Sequence, residues 1–419
     1  MGNGTKKQHW IPQFIIKKWT NNKSEYKFYD SHTKSFNIGN LKDSKSDIFY
    51  RDCLYENEKL FEINEIENGL SKIERTFGII IKEKIIEQKD KIIINRLELK
   101  IIKLYWLIET YRTWVNPQRA YNLQGDFLYN NFYKDKSKEE VDQEFLQNLH
   151  YLVFDVFSYI KFNVGFLPKK LENKWQEQMQ EISELLEKSH SKPLIEEEFL
   201  VNQNLLEFSQ FSSNQILNNS ISVYVNSCLK IIKIRDDIDY NFLLTDNRNV
   251  QFFGTSYSKL LGLTILQVMP ITPRYIIAFL RLDYIDKSQP SMFAKGSFWD
   301  EKFLGLFVVN HKTELHRKKE CLFELEKIIN ENSKIKENKK NIRLLEQELI
   351  PKYYSNKDLY YYPIYELTTK EQVHLINGML HSQTYKYVAY SKGKDLLKAI
   401  ETIKLHDIYR IEDRGKNGK

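Results

Sequence analysis

Leu229-Lys230-Ile231-Ile232-Lys233-Ile234, then Tyr240–Leu244, Val250–Phe253, Thr264–Pro270 and Tyr275–Leu280, form the stretch that separates an all-helical chain from a mixed one. Each run is short, apolar and rich in Ile, Val, Phe and Tyr, and turn residues such as Asp236-Asp237 and Thr272-Pro273-Arg274 punctuate the runs. Runs too short for helices, with β-branched and aromatic enrichment, predict the strands of a sheet. The texture changes on either side. Ile63, Ile66, Leu70, Ile73 and Phe77 recur at spacings of three and four, predicting a helix over about 57–88 with one face toward a core. A second helix is expected over Ile92–Val115, with Ile101, Tyr105 and Ile108 on one face and Pro117 closing it. Tyr26–Asp30 and Lys34–Phe36 alternate around Ser31-His32-Thr33 as a small hairpin.

Residues 118–230 are polar and mostly helical in pattern, with Asp135–Lys138 and Ser191-Lys192-Pro193 as connectors. Helices resume over about 298–349, where Glu314–Lys340 is dense in charge and reads as a solvated helix pair. A helix over 369–382, a strand Tyr385–Ala389 and a polar tail Arg414–Lys419 complete the chain. There is no internal repeat. The expected fold is α+β and helix-rich, with a small mixed or antiparallel sheet of sequence-distant strands. Three parts are expected: 1–117, a helical insertion or cap at 118–230, and 231–419.

The chain has 419 residues, enough for one large domain or two ordinary ones, and with 42% hydrophobic residues it can build a core. The net charge of +7 is mild against 28% charged residues of both signs; it permits an anionic partner such as nucleic acid without demanding one. Cys53, Cys228 and Cys321 are far apart and odd in number, so neither a disulfide framework nor a thiolate zinc site is indicated. The first seven residues lack the apolar core of a signal peptide, and no run has the length of a membrane-spanning helix. A cytoplasmic protein of bacterial type, without a membrane partner, is expected.

Few polar residues stand out. His9 sits in Lys7-Gln8-His9-Trp10-Ile11-Pro12-Gln13-Phe14, where Pro12 stiffens a turn and the apolar neighbours bury the segment. A partly buried imidazole is either a satisfied core group or a base awaiting substrate. Glu67 and Glu74 are two helical turns apart on one side, at the margin of the apolar stripe. There they meet a cation, a metal or a ligand, or else ordinary salt-bridge partners. Arg112 falls on the Ile101/Tyr105/Ile108 face, where an unpaired charge is costly. It pairs with Glu67 or Glu74, or contacts a substrate phosphate. Asp246 and Asn247 leave an apolar strand, a position that suits a metal ligand or base and equally an ordinary turn. Asn377 lies on the inward face of the 369–382 helix, a buried amide that braces an acid or reads a base edge. His374 and His381 flank it without a carboxylate at zinc spacing.

These segments are also where a family likeness recurs. Gln8–Phe14, Glu67–Glu74 (E-N-G-L-S-K-I-E), Tyr105–Arg119 with its Arg112-Thr113 pair, Phe242–Asn247 (F-L-L-T-D-N), Met269–Pro273, and Val373–Asn377 with Tyr387–Ser391 resemble the ordered blocks of domain-of-unknown-function family 4238. One departure is clear: Arg248 stands where the family usually has proline, placing a cation beside Asp246. The resemblance implies a component of bacterial antiviral loci carried on mobile elements.

By association with such loci, the resemblance implies an anti-phage effector that acts on nucleic acid by phosphodiester hydrolysis. His9 would be general acid or base, Asp246 with Glu67 or Glu74 would hold a divalent ion (Mg or Mn) or activate water, and Arg112 would steady the phosphate. No D-(E/Q)xK pair, R-x4-H pattern or glycine-rich phosphate loop accompanies them. The competing expectation is a non-catalytic sensor or scaffold that binds a phage-derived trigger or a nucleotide and signals to a partner.

Overall fold

The computed structural model describes residues 7–43, 45–56, 64–88, 91–116, 135–163, 227–248, 250–252, 266–281 and 359–405. The helices expected over 298–349, the Ser191-Lys192-Pro193 connector, Pro117 and the polar tail lie outside them. The described chain is α+β, built on three sheets whose strands come from distant parts of the sequence.

The N-terminal part begins with β1 (Lys7–His9), a single turn of helix α1 (Gln13–Ile16), the hairpin β2 (Glu25–Asp30) and β3 (Ser35–Asn40), and β4 (Tyr50–Asp52). β1 pairs with β4 antiparallel, so His9 lies opposite Tyr50. The hairpin turn is set by Asp30, whose Oδ1 accepts from the amides of His32 and Thr33 at 2.9 and 3.1 Å. Helix α2 (Glu65–Ile80) follows and runs into a π-helical turn at Ile81–Ile86.

Next come β5 (Lys91–Asn95), α3 (Arg96–Trp114) and α4 (Lys138–Asn163). The helix expected from Ile92 starts only at Arg96, because Ile92-Ile93-Ile94 is a β-branched run that pairs in a sheet. Asn95 marks the switch. Its side chain accepts from the Glu98 amide, and the Glu98 carboxylate accepts from the Asn95 amide, both at 2.8 Å, a reciprocal cap.

The C-terminal part comprises β6 (Ser227–Ile234), β7 (Leu244–Thr245), β8 (Val250–Phe252), β9 (Leu266–Thr272), β10 (Tyr275–Arg281), β11 (Leu359–Leu367), α5 (Lys370–Ser382), β12 (Tyr387–Tyr390) and α6 (Gly393–Leu405). The largest sheet has the order β5-β11-β6-β10-β9-β8 and is antiparallel except between β11 and β6, so it is mixed. A second, antiparallel sheet has the order β3-β2-β12-β7.

The mixed sheet is covered on both faces, and the alternation of its side chains shows this. Ile231, Met269 and Ile277 join Leu70, Ile73, Phe77, Tyr105 and Ile108 of α2 and α3. Their neighbours Ile232, Val268 and Ile276 join Val373, Ile376 and Leu380 of α5 and Leu396 of α6. Helix α4 adds Val141, Phe145 and Leu149 to the first layer. A third core, with Trp10, Ile11, Ile15, Trp19, Tyr26 and Phe49, sits under the second sheet.

The strand expected over Tyr240–Leu244 pairs only at Leu244. Side chains take its backbone groups instead: Asn377 accepts from Leu243 N and donates to Asn241 O, Asp395 accepts from Asn241 N, and Trp19 donates to Phe242 O. With those groups satisfied, a ladder is unnecessary. No helix among the described residues is long and apolar enough to cross a membrane.

Candidate active site

Three segments far apart in sequence meet at one guanidinium. Arg112, near the end of α3, is 1% exposed. Its Nε donates to Tyr55 Oη at 3.0 Å, its Nη1 to Glu74 and to Glu109 Oε1 (3.2 Å), and its Nη2 to the carbonyl oxygen of His9. Tyr55 Oη donates to that same carbonyl at 2.8 Å. Arg112 thus fixes the β1 backbone at His9 and anchors the middle of α2 through Glu74. Burial alone disfavours its charge, but the surrounding acids and phenols win and raise its pKa well above the ordinary arginine value.

The network continues inward. Glu109, one turn before Arg112 on α3, also accepts from Arg248 Nε at 3.3 Å. Arg248 is fully buried and donates through Nη1 to Pro270 O at 3.0 Å. Arg248, expected as a cation beside Asp246, thus turns its side chain toward Glu109 on α3. Glu74–Arg112–Glu109–Arg248 is an alternating chain of charges that ties the helical layer to the mixed sheet.

The His9 ring has its own partners. Its Nε2 lies 2.9 Å from Asp47 Oδ2, and Gln13 Nε2 approaches the same nitrogen at 3.5 Å. Among the described residues its Nδ1 has no hydrogen-bond partner. Asp47 is itself held: its Oδ1 accepts from Tyr26 Oη at 3.0 Å and from the Phe49 amide at 3.2 Å. Tyr26 Oη also accepts from the Ile48 amide at 2.9 Å. Burial and the neighbouring carboxylate push the Tyr26 phenol far above its usual range, so it stays a proton donor toward Asp47. A carboxylate thus orients the imidazole, and one ring nitrogen is left for other work.

Glu67 stands two turns before Glu74 on α2, about 10 Å along the axis. Burial, reinforced by the charge on Glu74, raises its carboxyl to about 7, while Arg112 opposes the shift and Glu56 adds to it. Its Oε2 is buried and makes no hydrogen bond among the described residues. Glu74 is raised as well, by burial first, with Arg112 and His9 pulling it down. Beneath them Gln8 acts as a clasp: its Oε1 accepts from the Tyr55 amide at 2.6 Å and its Nε2 donates to Glu56, which accepts from the Asn64 amide at 3.0 Å. Asn64, at φ 61°, brings the chain into α2.

The remaining candidates occupy a different part of the fold. The Asp246 carboxylate accepts the backbone amides of Tyr385, Lys386 and Tyr387 at 2.8, 2.8 and 2.9 Å. Burial raises it to about 6 against those three bonds. Asn247 donates to Gln383 O at 2.9 Å. Asn377 braces Asn241 and Leu243 as described. These three groups pin β7 and its flanks to the α5–β12 turn. They connect to the Arg112 centre through intermediaries: Asn116 donates to Asp246 O at 3.1 Å, and the Arg248 amide donates to Thr113 Oγ1 at 3.2 Å. His374 packs edge-on against Tyr240, and His381 against Tyr29. Among the described residues, no group of three or more His, Cys, Asp or Glu side chains is placed to hold a metal ion.

Sequence reasoning passed over Asp47, Tyr26, Tyr55, Glu56 and Glu109. Glu109 was within reach, since an acid three residues before Arg112 on a helix shares its face. Asp47 lies in a loop with no periodicity, and nothing in its neighbourhood marks it.

Fold and site together define an α+β protein with a buried arginine centre that joins the backbone of a carboxylate-backed histidine to Glu74 and Glu109. The chain belongs to the family described as Protein of unknown function (DUF4238), whose model matches residues 7–394. No curated protein and no solved structure matches it.

Proposed function

We propose that this protein is a bacterial, cytoplasmic anti-phage effector that acts on nucleic acid by breaking phosphodiester bonds. His9 and Glu67 are the acid–base groups, and Glu74 and Arg112 are the frame that holds them. The observation carrying this reading is the hydrogen-bonding state of His9: Nε2 is committed to Asp47 at 2.9 Å, and Nδ1 meets no hydrogen-bond partner among the described residues. An imidazole oriented by a buried carboxylate is a standard general base, and a carboxyl near pH 7 complements it as an acid. Arg112 already donates to Glu74, Glu109, Tyr55 and the His9 carbonyl, so its role is positioning rather than phosphate binding.

A second reading, a sensor or scaffold that binds a phage product or nucleotide, is favoured by Asp246, Asn247 and Asn377, whose polar groups are consumed by the backbone. The two readings separate in cells. Wild type, His9→Ala and Glu67→Gln are expressed at matched folded levels, and phage restriction and the integrity of cellular RNA and DNA are scored. The nucleolytic reading expects nucleic-acid damage and restriction from wild type and neither from His9→Ala. Intact nucleic acid with full restriction in all three establishes the sensor.

A further inference from the structure

Strand β3 is an open edge of the antiparallel sheet β3-β2-β12-β7 among the described residues. Its sequence, Ser35-Phe36-Asn37-Ile38-Gly39-Asn40, holds no charge and no proline, and its pairing with β2 runs without a bulge. Edge strands are ordinarily protected by one of those devices. Leu41 N donates to Ser24 O at 3.1 Å and continues the β2–β3 register, so Leu41, Gly39, Asn37 and Ser35 turn their main-chain groups toward β2. The N–H and C=O groups of Phe36, Ile38 and Asn40 therefore point away from the sheet. Two of these residues also carry exposed apolar side chains, Phe36 at 55% and Ile38 at 63%. The Phe36 ring centroid lies 5.1 Å from that of Tyr29 and 6.3 Å from that of Tyr390, both buried in the second core. The apolar face of the sheet thus runs on past its covered strands to an uncovered edge.

We propose that β3 pairs with β3 of a second copy of this chain, antiparallel about a two-fold axis at Asn37. The strand fits itself in this register. The outward main-chain groups of Phe36 meet those of Ile38 in the other copy, so each N–H finds a C=O. The Phe36 and Ile38 side chains then lie directly opposite on one face and cover each other, twice over by symmetry. Charge is complementary as well. The axis sets Asn40 opposite Lys34 of the second copy, and Glu25 is the next residue in that row, being the β2 partner of Asn40. Lys34 is exposed, and among the described residues Glu25 holds only the Asn21 amide, at 2.8 Å. A parallel pairing would instead set the two Lys34 side chains together and leave both Glu25 carboxylates unanswered. The main chain alone would accept any extended strand; the Phe36–Ile38 and Glu25–Lys34 matches are met by this chain's own strand. The result is one continuous sheet through both copies.

The test uses the full-length protein in sedimentation velocity over about 1–100 μM, the range in which a small interface assembles. The expected result is a monomer that becomes a dimer as concentration rises. Ile38→Lys should raise the dissociation constant at least about tenfold, since each change counts twice across the axis. Lys34→Glu and Glu25→Lys should each weaken the dimer about threefold or more, and the double variant should regain it. Within one copy these two residues stand at opposite ends of the hairpin, about 17 Å apart along the strand, so that rescue can come only between copies. Asn37→Cys, in a Cys53→Ser background because Cys53 is exposed, should give a disulfide-linked dimer on mild oxidation. The axis brings the two Asn37 Cα atoms to about 4.5 Å, within disulfide reach, whereas Asn40→Cys should not link. Circular dichroism and thermal unfolding confirm that each variant is folded. A wild type that stays monomeric at every concentration overturns the proposal and leaves the edge to a strand of another protein. A dimer unchanged by Ile38→Lys, or one that links through Asn40→Cys and not through Asn37→Cys, overturns this seam and its register.

Discussion

Replacing Arg112 by methionine isolates what the guanidinium contributes, because the chain length is kept and the charge removed. Arg112 is 1% exposed and makes four hydrogen bonds. Two of them cost little to lose. Tyr55 Oη still donates to His9 O at 2.8 Å, so neither group is left without a partner. The loss falls on the acids. Glu109 keeps Arg248 Nε at 3.3 Å, but Glu74 is left without a cation in the network. Removing one partner of a buried ion pair costs about 3–5 kcal/mol. The Glu74 side chain is 19% exposed and its carboxyl is already raised, so protonation relieves part of that. The expected loss at pH 7.5 is therefore about 3 kcal/mol, or about 1 M in the urea midpoint for a slope of about 3 kcal/mol/M. The assay is urea unfolding followed by tryptophan fluorescence, run as a cycle of wild type, Arg112→Met, Glu74→Gln and the double variant. The double variant should recover at least about 1 kcal/mol relative to Arg112→Met, and the deficit of Arg112→Met should shrink as pH falls and Glu74, already raised by burial, protonates. A deficit under about 1 kcal/mol, or one that Glu74→Gln leaves unchanged, refutes the view that Arg112 is held by a buried acid.

Glu67→Gln should alter how stability depends on pH. The folded Glu67 carboxyl titrates at about 7 against an ordinary 4.5, so its contribution is fully present below about pH 4.5 and is lost as pH rises through about 7. The glutamine variant should therefore gain on wild type between pH 5 and 8, by up to about 3 kcal/mol at the upper end, and parallel curves would contradict the shift. Gly39→Ala places a Cβ against the Tyr26 ring, with Tyr26 Oη only 2.7 Å away. It should cost about 1–3 kcal/mol and lower activity per folded molecule through Asp47, whereas an unchanged melting temperature would show that Tyr26 yields freely. Asp246→Asn turns an amide donor toward backbone amides that need an acceptor. It should destabilise by about 2–3 kcal/mol in thermal unfolding while leaving activity per folded molecule intact, and the reverse pattern would return Asp246 to the chemistry.

The α+β class was readable because the runs after Leu229 are too short for helices and too apolar for loops. Helix α2 was readable from Ile66, Leu70, Ile73 and Phe77, all buried. Boundaries failed where a side chain replaced a regular backbone partner. Asn377 and Asp395 turned the expected Tyr240–Leu244 strand into an irregular segment. Ile92–Ile94 carries an apolar run that fits helix or strand alike, and its pairing with β11, more than 260 residues later, decides for strand. Of the candidate residues, His9, Glu74 and Arg112 share one hydrogen-bonded centre, and Glu67 feels the charges of Glu74 and Arg112. A charge on a helix's apolar face was the signal that found Arg112. Asp246, Asn247 and Asn377 are equally buried, and from sequence a buried polar group looks the same whether it serves the backbone or a ligand. Asp47 was invisible because only the folded chain brings its loop to His9.

The most direct measurement is the tautomer of His9, read from long-range ¹H–¹⁵N correlations of the imidazole rings with His9 assigned by comparison with His9→Gln. The geometry predicts a proton on Nε2, bonded to Asp47, and an Nδ1 with the shift of an unprotonated nitrogen, a pattern that Asp47→Asn should disturb. A proton on Nδ1 in the neutral ring, or a ring indifferent to Asp47→Asn, would contradict the account.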